Sequence, residues 1–239
     1  MVKGLISSVE SMGLVDGPGI RYVVFMQGCK LRCKYCHNPE TWNMVGGEET
    51  TARELVKKIA KFKPYYKNNG GVTFSGGEPL LQPEFLVECL KECKKQNINT
   101  ALDTAGVGFG DYSQILPLCD LVILDIKAIN QKDYKELTGK DIDAFNNFLD
   151  QVQQHGTRLW LRQVIVPGMN DTEENIKNLA KFIKQIKNVE RVELLPYKST
   201  CKTKYENLKI AYRLEGLPDM DEEKCKTLES TLRKLIKNK

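Results

Sequence analysis

Residues 20–42 read IRYVVFMQGCKLRCKYCHNPETW, and this stretch decides the fold class and the chemistry that the sequence predicts. It begins with a strand-like run at residues 20–27, which is rich in β-branched and aromatic side chains. Cys29, Cys33 and Cys36 follow with the spacing C-x3-C-x2-C. Three thiolates are one ligand short of a filled tetrahedral zinc site or a filled four-iron cluster. The pattern therefore predicts a metal centre with one open position for a ligand.

The residues alone leave three identities open for this centre. His37 can complete a Cys3His zinc site. Cys33, Cys36 and His37 also form a C-x-x-C-H haem-attachment motif, but covalent haem normally needs export, and residues 1–10 lack the apolar stretch of a secretory signal. An iron–sulfur cluster is the third interpretation, although the four-cysteine ferredoxin spacings do not match.

Outside this stretch, short β-branched runs alternate with helical patterns along the chain. The predicted strands are residues 20–27, 72–75, 99–103, 121–126, 159–166 and 189–196. The predicted helices are residues 51–62, 84–95, 112–118, 131–138, 142–154, 172–187 and 222–237. Such alternation implies a parallel sheet wrapped by helices, and six strands are too few to close an eight-stranded barrel. We therefore expect an α/β fold of the open (β/α)6 partial TIM barrel type.

The composition fits a single domain over residues 1–239, in which residues 198–221 are less regular. Hydrophobic residues make up 41% of the chain, and no run approaches the ~18 apolar residues of a membrane span. The net charge of +5 is mild and does not indicate a nucleic-acid partner. Eight cysteines favour metal or redox chemistry over disulfides, and we expect a cytoplasmic protein. Cys89 and Cys93, four residues apart on a predicted helix, are expected to be small buried side chains.

Charged residues follow several of the predicted strands. Asp125 and Lys127 come after the apolar run at residues 121–124, and Asp103 and Thr104 come at the end of the preceding strand. Arg162 lies inside an apolar strand, where a guanidinium is costly unless it is paired. Any one of these charges can be a structural ion pair. Functional groups of such barrels gather at the C-terminal ends of the strands, so several charges on one rim predict a binding site.

Further motifs surround the cysteines in a fixed order. They are DGPGIR at residues 16–21, GGVTFSGGEPLL at 70–81, LDTAG at 102–106, LDIK at 124–127, LRQVIVPG at 161–168 and VELLPY at 192–197. Together with the cysteines, they resemble the radical S-adenosylmethionine (SAM) superfamily and, within it, the enzymes that activate glycyl-radical enzymes. The resemblance implies reductive cleavage of SAM at a [4Fe–4S] cluster. It also implies a 5′-deoxyadenosyl radical that removes the α-hydrogen of a glycine in a partner enzyme.

The same resemblance implies a role for each matching residue. Cys29, Cys33 and Cys36 are expected to bind three irons of the cluster, and the fourth iron to chelate SAM. The loop of Gly76, Gly77 and Glu78 is expected to bind the amino group of SAM. The other implied SAM contacts are the ribose and carboxylate contacts of Asp125, Ile126 and Lys127, an orienting Arg162, and adenine contacts at Tyr35, Cys36 and His37. The implied catalytic set is Cys29, Cys33, Cys36, Lys127 and Asp16, of which Asp16 holds the backbone of the target peptide.

Two more positions follow from the resemblance. Asp103, Thr104 and the backbone of Ile123 match a monovalent-cation site for sodium or potassium, and their oxygen atoms suit a hard cation. The chain departs from the family pattern at Lys198, where a histidine that contacts SAM is usual after the LPY motif. Lysine can still donate hydrogen bonds to SAM, but it cannot stack as an imidazole does.

The expected partners are proteins. Because the chain has no additional four-cysteine groups, we expect the electron to come from outside. The resemblance implies a flavodoxin or a ferredoxin as its source, and we expect a monomeric enzyme. The expected target is a glycyl-radical enzyme, and pyruvate formate-lyase is the first candidate. Within the same class, the alternatives are another glycyl-radical enzyme, a small molecule or another peptide. Outside this class, the alternative is a non-catalytic zinc or iron–sulfur module, which does not depend on SAM.

Overall fold

One sheet of eight strands dominates the computed structural model, which describes residues 2–237, and its strand order is β3-β1-β2-β4-β5-β6-β7-β8. The strands are β1 Lys3–Gly13, β2 Arg21–Met26, β3 Glu48–Thr51, β4 Gly71–Gly76, β5 Asn99–Thr104, β6 Leu121–Asp125, β7 Leu159–Ile165 and β8 Val189–Pro196. From β2 through β4 to β8, all neighbouring strands are parallel. β3 and β8 end the order, so the sheet stays open. The predicted open (β/α)6 partial barrel is confirmed. Met1, Asn238 and Lys239 of the predicted domain lie outside the described residues.

The prediction of six strands in total is wrong, because two antiparallel strands extend the sheet at one edge. β1 pairs with β2 on one side and with β3 on the other. β1 has the sequence KGLISSVESMG, whose glycines and serines have low strand propensity. β3 is only four residues long and has the sequence EETT. Short, charged strands are typical of sheet edges, and they give a weak signal in the sequence.

Helices alternate with the strands along the chain, and most of them pack against the outer face of the sheet. They are α1 Ala52–Ala60, α2 Lys63–Tyr66, α3 Pro83–Lys95, α4 Gln131–Thr138, α5 Asp143–His155, α6 Glu173–Ile183, α7 Lys202–Asn207 and α8 Glu222–Lys237. The helix predicted at residues 112–118 is wrong, since this segment contains only the 3-10 turn Leu116–Leu118. Pro117 lies inside this turn, and proline cannot donate the backbone hydrogen bond that a longer helix needs. Within residues 2–237, no helix combines the length and the apolar character needed to cross a bilayer.

The two faces of the parallel strands have different surroundings. Val122 and Leu124 of β6 point outward into the main core between sheet and helices. Leu121 and Ile123 belong to a separate small cluster on the inner face. Because side chains alternate along a strand, Asp125 continues the inner row to the C-terminal rim. The alternation of side chains along β6 therefore places Val122 and Leu124 in the core and the carboxylate of Asp125 at the rim.

Residues 198–221 are irregular apart from α7, yet they pack firmly onto the barrel. Tyr205 and Tyr212 are buried, and their rings lie 4.8 Å apart. The hydroxyl groups of Tyr197 and Tyr212 are 2.8 Å apart. These contacts hold the segment against the end of β8.

We predict that Phe74→Ala lowers the free energy of unfolding by about 3–5 kcal/mol, because Phe74 of β4 is fully buried in the main core. Urea unfolding followed by circular dichroism measures this loss. Phe109→Ala is the control, since Phe109 is 64% exposed and its truncation should cost less than about 1 kcal/mol. Equal losses in the two variants would contradict the core described above.

Candidate active site

The three cysteines lie on a loop that begins at the end of β2. Gly28 opens the loop with a φ of 99°, a conformation that glycine adopts without strain. Two backbone N–H groups then fix the loop against the end of α4: that of Arg32 donates to the Thr138 carbonyl at 2.8 Å, and that of Lys34 to the Leu137 carbonyl at 3.0 Å. Cys33 is buried among Leu31 and Val107, and Cys29 and Cys36 pack against the same cluster. The loop thus gathers all three thiols on one side.

All three thiols line one cavity of about 320 Å³ at the rim of the barrel. Burial raises the pKa of Cys29 to about 12 and that of Cys33 to about 11, so these thiolates need nearby positive charge. Iron ions supply such charge, and thiolates are the donors that iron–sulfur clusters prefer. The donor set therefore fits a [4Fe–4S] cluster.

The zinc interpretation requires His37 to join the cysteines around one point. Nε2 of His37 instead lies 2.9 Å from the carbonyl oxygen of Lys198. Across residues 2–237, no three His, Cys, Asp or Glu side chains converge closely enough to hold a single metal ion. Cysteines that each bind a different iron of a cluster do not need to converge in this way.

The Gly-Gly-Glu-Pro loop packs directly against the start of the cysteine loop. The Gly77 N–H donates to the Met26 carbonyl, and the Glu78 N–H donates to the Gly28 carbonyl, both at 2.9 Å. A Cβ atom on Gly76 would lie 2.3 Å from the backbone nitrogen of Met26, and one on Gly77 would lie 2.3 Å from the Gly28 carbonyl oxygen. Both positions therefore require glycine, and both glycines line the cavity.

The carboxylate of Glu78 points away from the cavity and into the protein. It accepts hydrogen bonds from the Thr104 hydroxyl at 2.5 Å, the Leu80 N–H at 3.1 Å and the Ala105 N–H at 3.0 Å. Burial raises the pKa of Glu78 to about 7, and these donors limit the rise. Its side chain therefore joins the loop to the end of β5.

Asp125 and Lys127 form an ion pair on the cavity wall. The Lys127 ammonium lies 2.8 Å from the Asp125 carboxylate, and the Lys127 side chain is only 11% exposed. Burial alone would lower the pKa of Lys127, but the Asp125 carboxylate and other nearby groups outweigh it and raise the pKa well above its usual value. Lys127 also lies 5.5 Å from the ring centroid of Tyr35. The wall thus carries a permanent cation beside the three thiols.

Arg162 lies on the inner face of β7 beneath the cavity, among several acidic groups. Its guanidinium is 3.4 Å from Glu193 and 3.9 Å from Asp103, and it donates to the Val15 carbonyl at 3.2 Å. The Ser75 hydroxyl donates to Asp103 at 2.7 Å. Burial raises the pKa of Asp103 to about 6, although Arg162 opposes this shift. Arg162 is therefore paired, as a buried guanidinium has to be.

The structure brings most of the predicted site residues into the same cavity. Its lining includes Cys29, Cys33, Tyr35, Cys36, His37, Gly76, Gly77, Asp103, Thr104, Asp125, Lys127 and Lys198. The residues that do not line it are Asp16, Glu78, Ile123, Ile126 and Arg162. Ile123 of β6 and Ile126, which follows the end of β6, are both fully buried. The ammonium of Lys198 forms an ion pair with Glu222, the first residue of α8, at 2.8 Å.

Sequence reasoning missed several residues that shape this site. Glu193 pairs with Arg162, but β8 is too far away in sequence for the spacing to reveal the contact. The Tyr205 hydroxyl donates to the Cys36 carbonyl at 3.0 Å from a segment without a periodic pattern. Trp42, the last residue of the quoted stretch, lies at the edge of the cysteine loop. Its closeness to the cysteines in the sequence was the signal that could have identified Trp42.

An open barrel whose rim combines these thiols, the glycine loop and the buried ion pair has the architecture of a radical SAM enzyme. A protein-family model described as "4Fe-4S single cluster domain" matches residues 15–144, which is more than half of the chain.

Curated relatives identify the family within the radical SAM enzymes to which the chain belongs. A pyruvate formate-lyase-activating enzyme of Clostridium pasteurianum is 58% identical over 237 residues, covering 99% of this chain and 100% of the relative. Another, from Streptococcus mutans, is 43% identical over 228 residues, covering 90% and 86%. The chain belongs to the family of pyruvate formate-lyase-activating enzymes.

Solved structures agree with this fold. A domain of a pyruvate-formate lyase-activating enzyme from Bacteroides vulgatus matches with a TM-score of 0.56 and 26% identity, covering 70% of this chain and 94% of that one. SuiB of Streptococcus suis, bound to its precursor peptide SuiA, matches with a TM-score of 0.68 over 95% of this chain and 47% of that one. The identity to SuiB is 18%, so this likeness shows the shared fold alone.

We predict that Glu78→Gln lowers the free energy of unfolding by about 1–3 kcal/mol, because an amide NH2 group would replace one of the oxygens that accept from Thr104, Leu80 and Ala105. Urea unfolding at neutral pH measures the change. Glu206→Gln on α7 is an exposed control, with an expected change within about 0.5 kcal/mol. An unchanged midpoint for Glu78→Gln would show that the carboxylate does not hold the loop to β5.

Proposed function

We propose that this chain cleaves SAM reductively at a [4Fe–4S] cluster bound by Cys29, Cys33 and Cys36, and thereby activates pyruvate formate-lyase. The activation step removes the α-hydrogen of one glycine in the target enzyme. The observation that carries this proposal is the single cavity that the three thiols share with Gly76, Gly77 and the Asp125–Lys127 pair. The family membership of the whole chain supports the same activity.

The protein residues have binding and orienting roles in this reaction. When bound, the cluster supplies the electron that breaks a carbon–sulfur bond of SAM, which gives methionine and a 5′-deoxyadenosyl radical. Lys127 remains cationic and neutralises the carboxylate of SAM, while Asp125 accepts hydrogen bonds from the ribose. The backbone of Gly76 and Gly77 binds the amino group of SAM, and Glu78 keeps that loop in place from behind. Arg162 holds the inner carboxylates below SAM.

The remaining SAM and cation contacts belong to the same proposal. Tyr35, Cys36 and His37 contact the adenine on the side of the cavity that Lys198 also lines. Ile126 contributes backbone atoms only, since its side chain is buried. A sodium or potassium ion binds to Asp103, Thr104 and the carbonyl of Ile123. The carboxylate of Asp103 and the hydroxyl oxygen of Thr104 can bind the ion while Asp103 still accepts from Ser75 and Thr104 still donates to Glu78.

The target peptide approaches over the turn between β1 and β2. Leu14 and Val15 in this turn are 72% and 79% exposed, whereas the backbone of the turn is held by hydrogen bonds. The Thr73 hydroxyl donates to the Asp16 carbonyl at 2.7 Å, and Arg162 donates to the Val15 carbonyl. A turn braced from beneath presents Asp16 to a peptide backbone without the cost of ordering a mobile loop.

The chain acts as a cytoplasmic monomer and forms one domain over residues 1–239. It receives its electron from a flavodoxin or a ferredoxin.

We predict that the reconstituted protein, reduced under anaerobic conditions and mixed with SAM and pyruvate formate-lyase, produces a glycyl-radical doublet in the electron paramagnetic resonance (EPR) spectrum. A target variant in which the radical-bearing glycine is alanine serves as control and should give no doublet. Methionine release without a doublet, combined with a doublet from a different glycyl-radical enzyme, would reject pyruvate formate-lyase as the target.

We predict that Cys33→Ala loses most of its bound iron and all methionine release, while its circular dichroism spectrum stays unchanged. The physical reason is that Cys33 is one of the three cysteines that line the cavity, and a cluster that loses one of three thiolates is weakly held. Cys119→Ala is the matched control, because Cys119 is buried in the main core and should not affect iron content. Full methionine release by Cys33→Ala would refute the cluster assignment.

A further inference from the structure

Trp42 closes the cysteine loop at its C-terminal end. It follows the 3-10 turn Pro39–Thr41, and its backbone N–H donates to the Pro39 carbonyl at 3.1 Å. The Cys29 N–H lies 3.5 Å from the Trp42 carbonyl. The backbone of Trp42 is therefore tied to the first cysteine of the motif.

The indole ring of Trp42 is fixed by neighbours on two sides. The Arg32 guanidinium lies over the ring, 4.9 Å from its centroid. The ring of Tyr205 packs at 5.7 Å with an interplanar angle of 82°. Tyr205 in turn donates its hydroxyl to the Cys36 carbonyl at 3.0 Å. Tyr205 therefore holds the indole of Trp42 and the backbone of Cys36 in a fixed position relative to each other.

The indole N–H group of Trp42 is an orphan donor. It is buried, and it has no well-aligned hydrogen-bond acceptor among residues 2–237. Buried tryptophan N–H groups usually have an acceptor, so an unsatisfied one points to a missing partner. The Cys36 thiol is the side chain that this group interacts with, because Tyr205 packs on the indole ring and binds the Cys36 carbonyl.

A sulfur that binds iron is a better acceptor for this donor than a neutral thiol. A thiolate carries negative charge, and hydrogen bonds to charged acceptors are the stronger ones. When the cluster takes up one electron from the external donor, its sulfur ligands become more negative. A fixed N–H dipole then stabilises the reduced state more than the oxidised state, and hydrogen bonds to the sulfurs are among the factors that set cluster potentials.

We propose that the indole N–H of Trp42 donates a hydrogen bond to the cluster-bound sulfur of Cys36 and thereby raises the reduction potential of the cluster. This inference rests on the proposed function, because it requires the [4Fe–4S] cluster. It gives Trp42 a positioning and tuning role that does not involve contact with SAM. Tyr205 acts differently, since its hydroxyl is bound to a backbone carbonyl.

The test is an EPR-monitored redox titration of the reconstituted Trp42→Phe variant without SAM. Phenylalanine keeps an aromatic ring beneath Arg32 but has no N–H donor. We expect its midpoint potential to be more negative than that of the wild type, so that less cluster is reduced at one fixed potential. Trp160→Phe is the matched control: Trp160 lies in the inner cluster with Ile123, beneath Arg191, and its replacement should leave the potential unchanged.

A second measurement observes the hydrogen bond itself. Electron–nuclear double resonance of the reduced cluster in H2O and D2O detects exchangeable protons near the sulfurs, and one coupling should be absent in Trp42→Phe and present in Trp160→Phe. Incorporation of β-(3-benzothienyl)alanine at position 42, which replaces the N–H by sulfur with little change in shape, should give the same shift as phenylalanine.

The outcomes separate this inference from the proposed function. A wild-type protein that forms no [4Fe–4S] cluster overturns both. A wild-type cluster whose potential and exchangeable couplings are the same in both position-42 variants overturns the role of Trp42 and leaves the proposed function intact.

Discussion

Two backbone hydrogen bonds, from Gly77 to Met26 and from Glu78 to Gly28, join the cysteine loop to the glycine loop. They require two residues without side chains, because a Cβ atom on Gly76 or Gly77 would overlap the neighbouring backbone. The carboxylate of Glu78 continues the connection to Thr104 on β5. The ends of three neighbouring strands are thereby locked together. The thiols and the backbone of Gly76 and Gly77 keep a fixed spacing for this reason, and fixed spacing is what catalysis by positioning requires.

The inner face of the barrel imposes a second constraint. Asp103, Asp125 and Glu193 are carboxylates on three different strands, and each is at most partly exposed. Arg162 offsets the negative charge of Asp103 and Glu193, and Lys127 offsets that of Asp125. Removing one member of such a set leaves a buried charge without its partner, which costs more than the pair contributes. The polar floor of the cavity therefore depends on all of its members, including Glu193, to which the sequence analysis assigned no role.

The sequence predicted the parallel part of the fold because buried parallel strands are continuous apolar runs, as in residues 121–124. It failed at β1, whose glycines and serines have low strand propensity, and at β3, a short charged strand at the edge of the sheet. It also failed at residues 112–118, where Pro117 prevents a helix. The cavity residues with a motif, such as Cys33 and Lys127, were predicted. Contacts between distant segments were not predicted. Tyr205 contacts Cys36 because residues 198–221 fold over the barrel, and no sequence pattern indicates that fold.

The buried thiols have a consequence for how the protein acquires its iron. Burial raises the pKa values of Cys29 and Cys33 to about 12 and about 11, so both are protonated at neutral pH before metal arrives. Ligation needs thiolates, and assembly of the centre must therefore release protons to solvent. Alkaline conditions favour loading and acid opposes it. The same protonation protects the protein before loading, because the thiolate is the form that peroxides and disulfides attack.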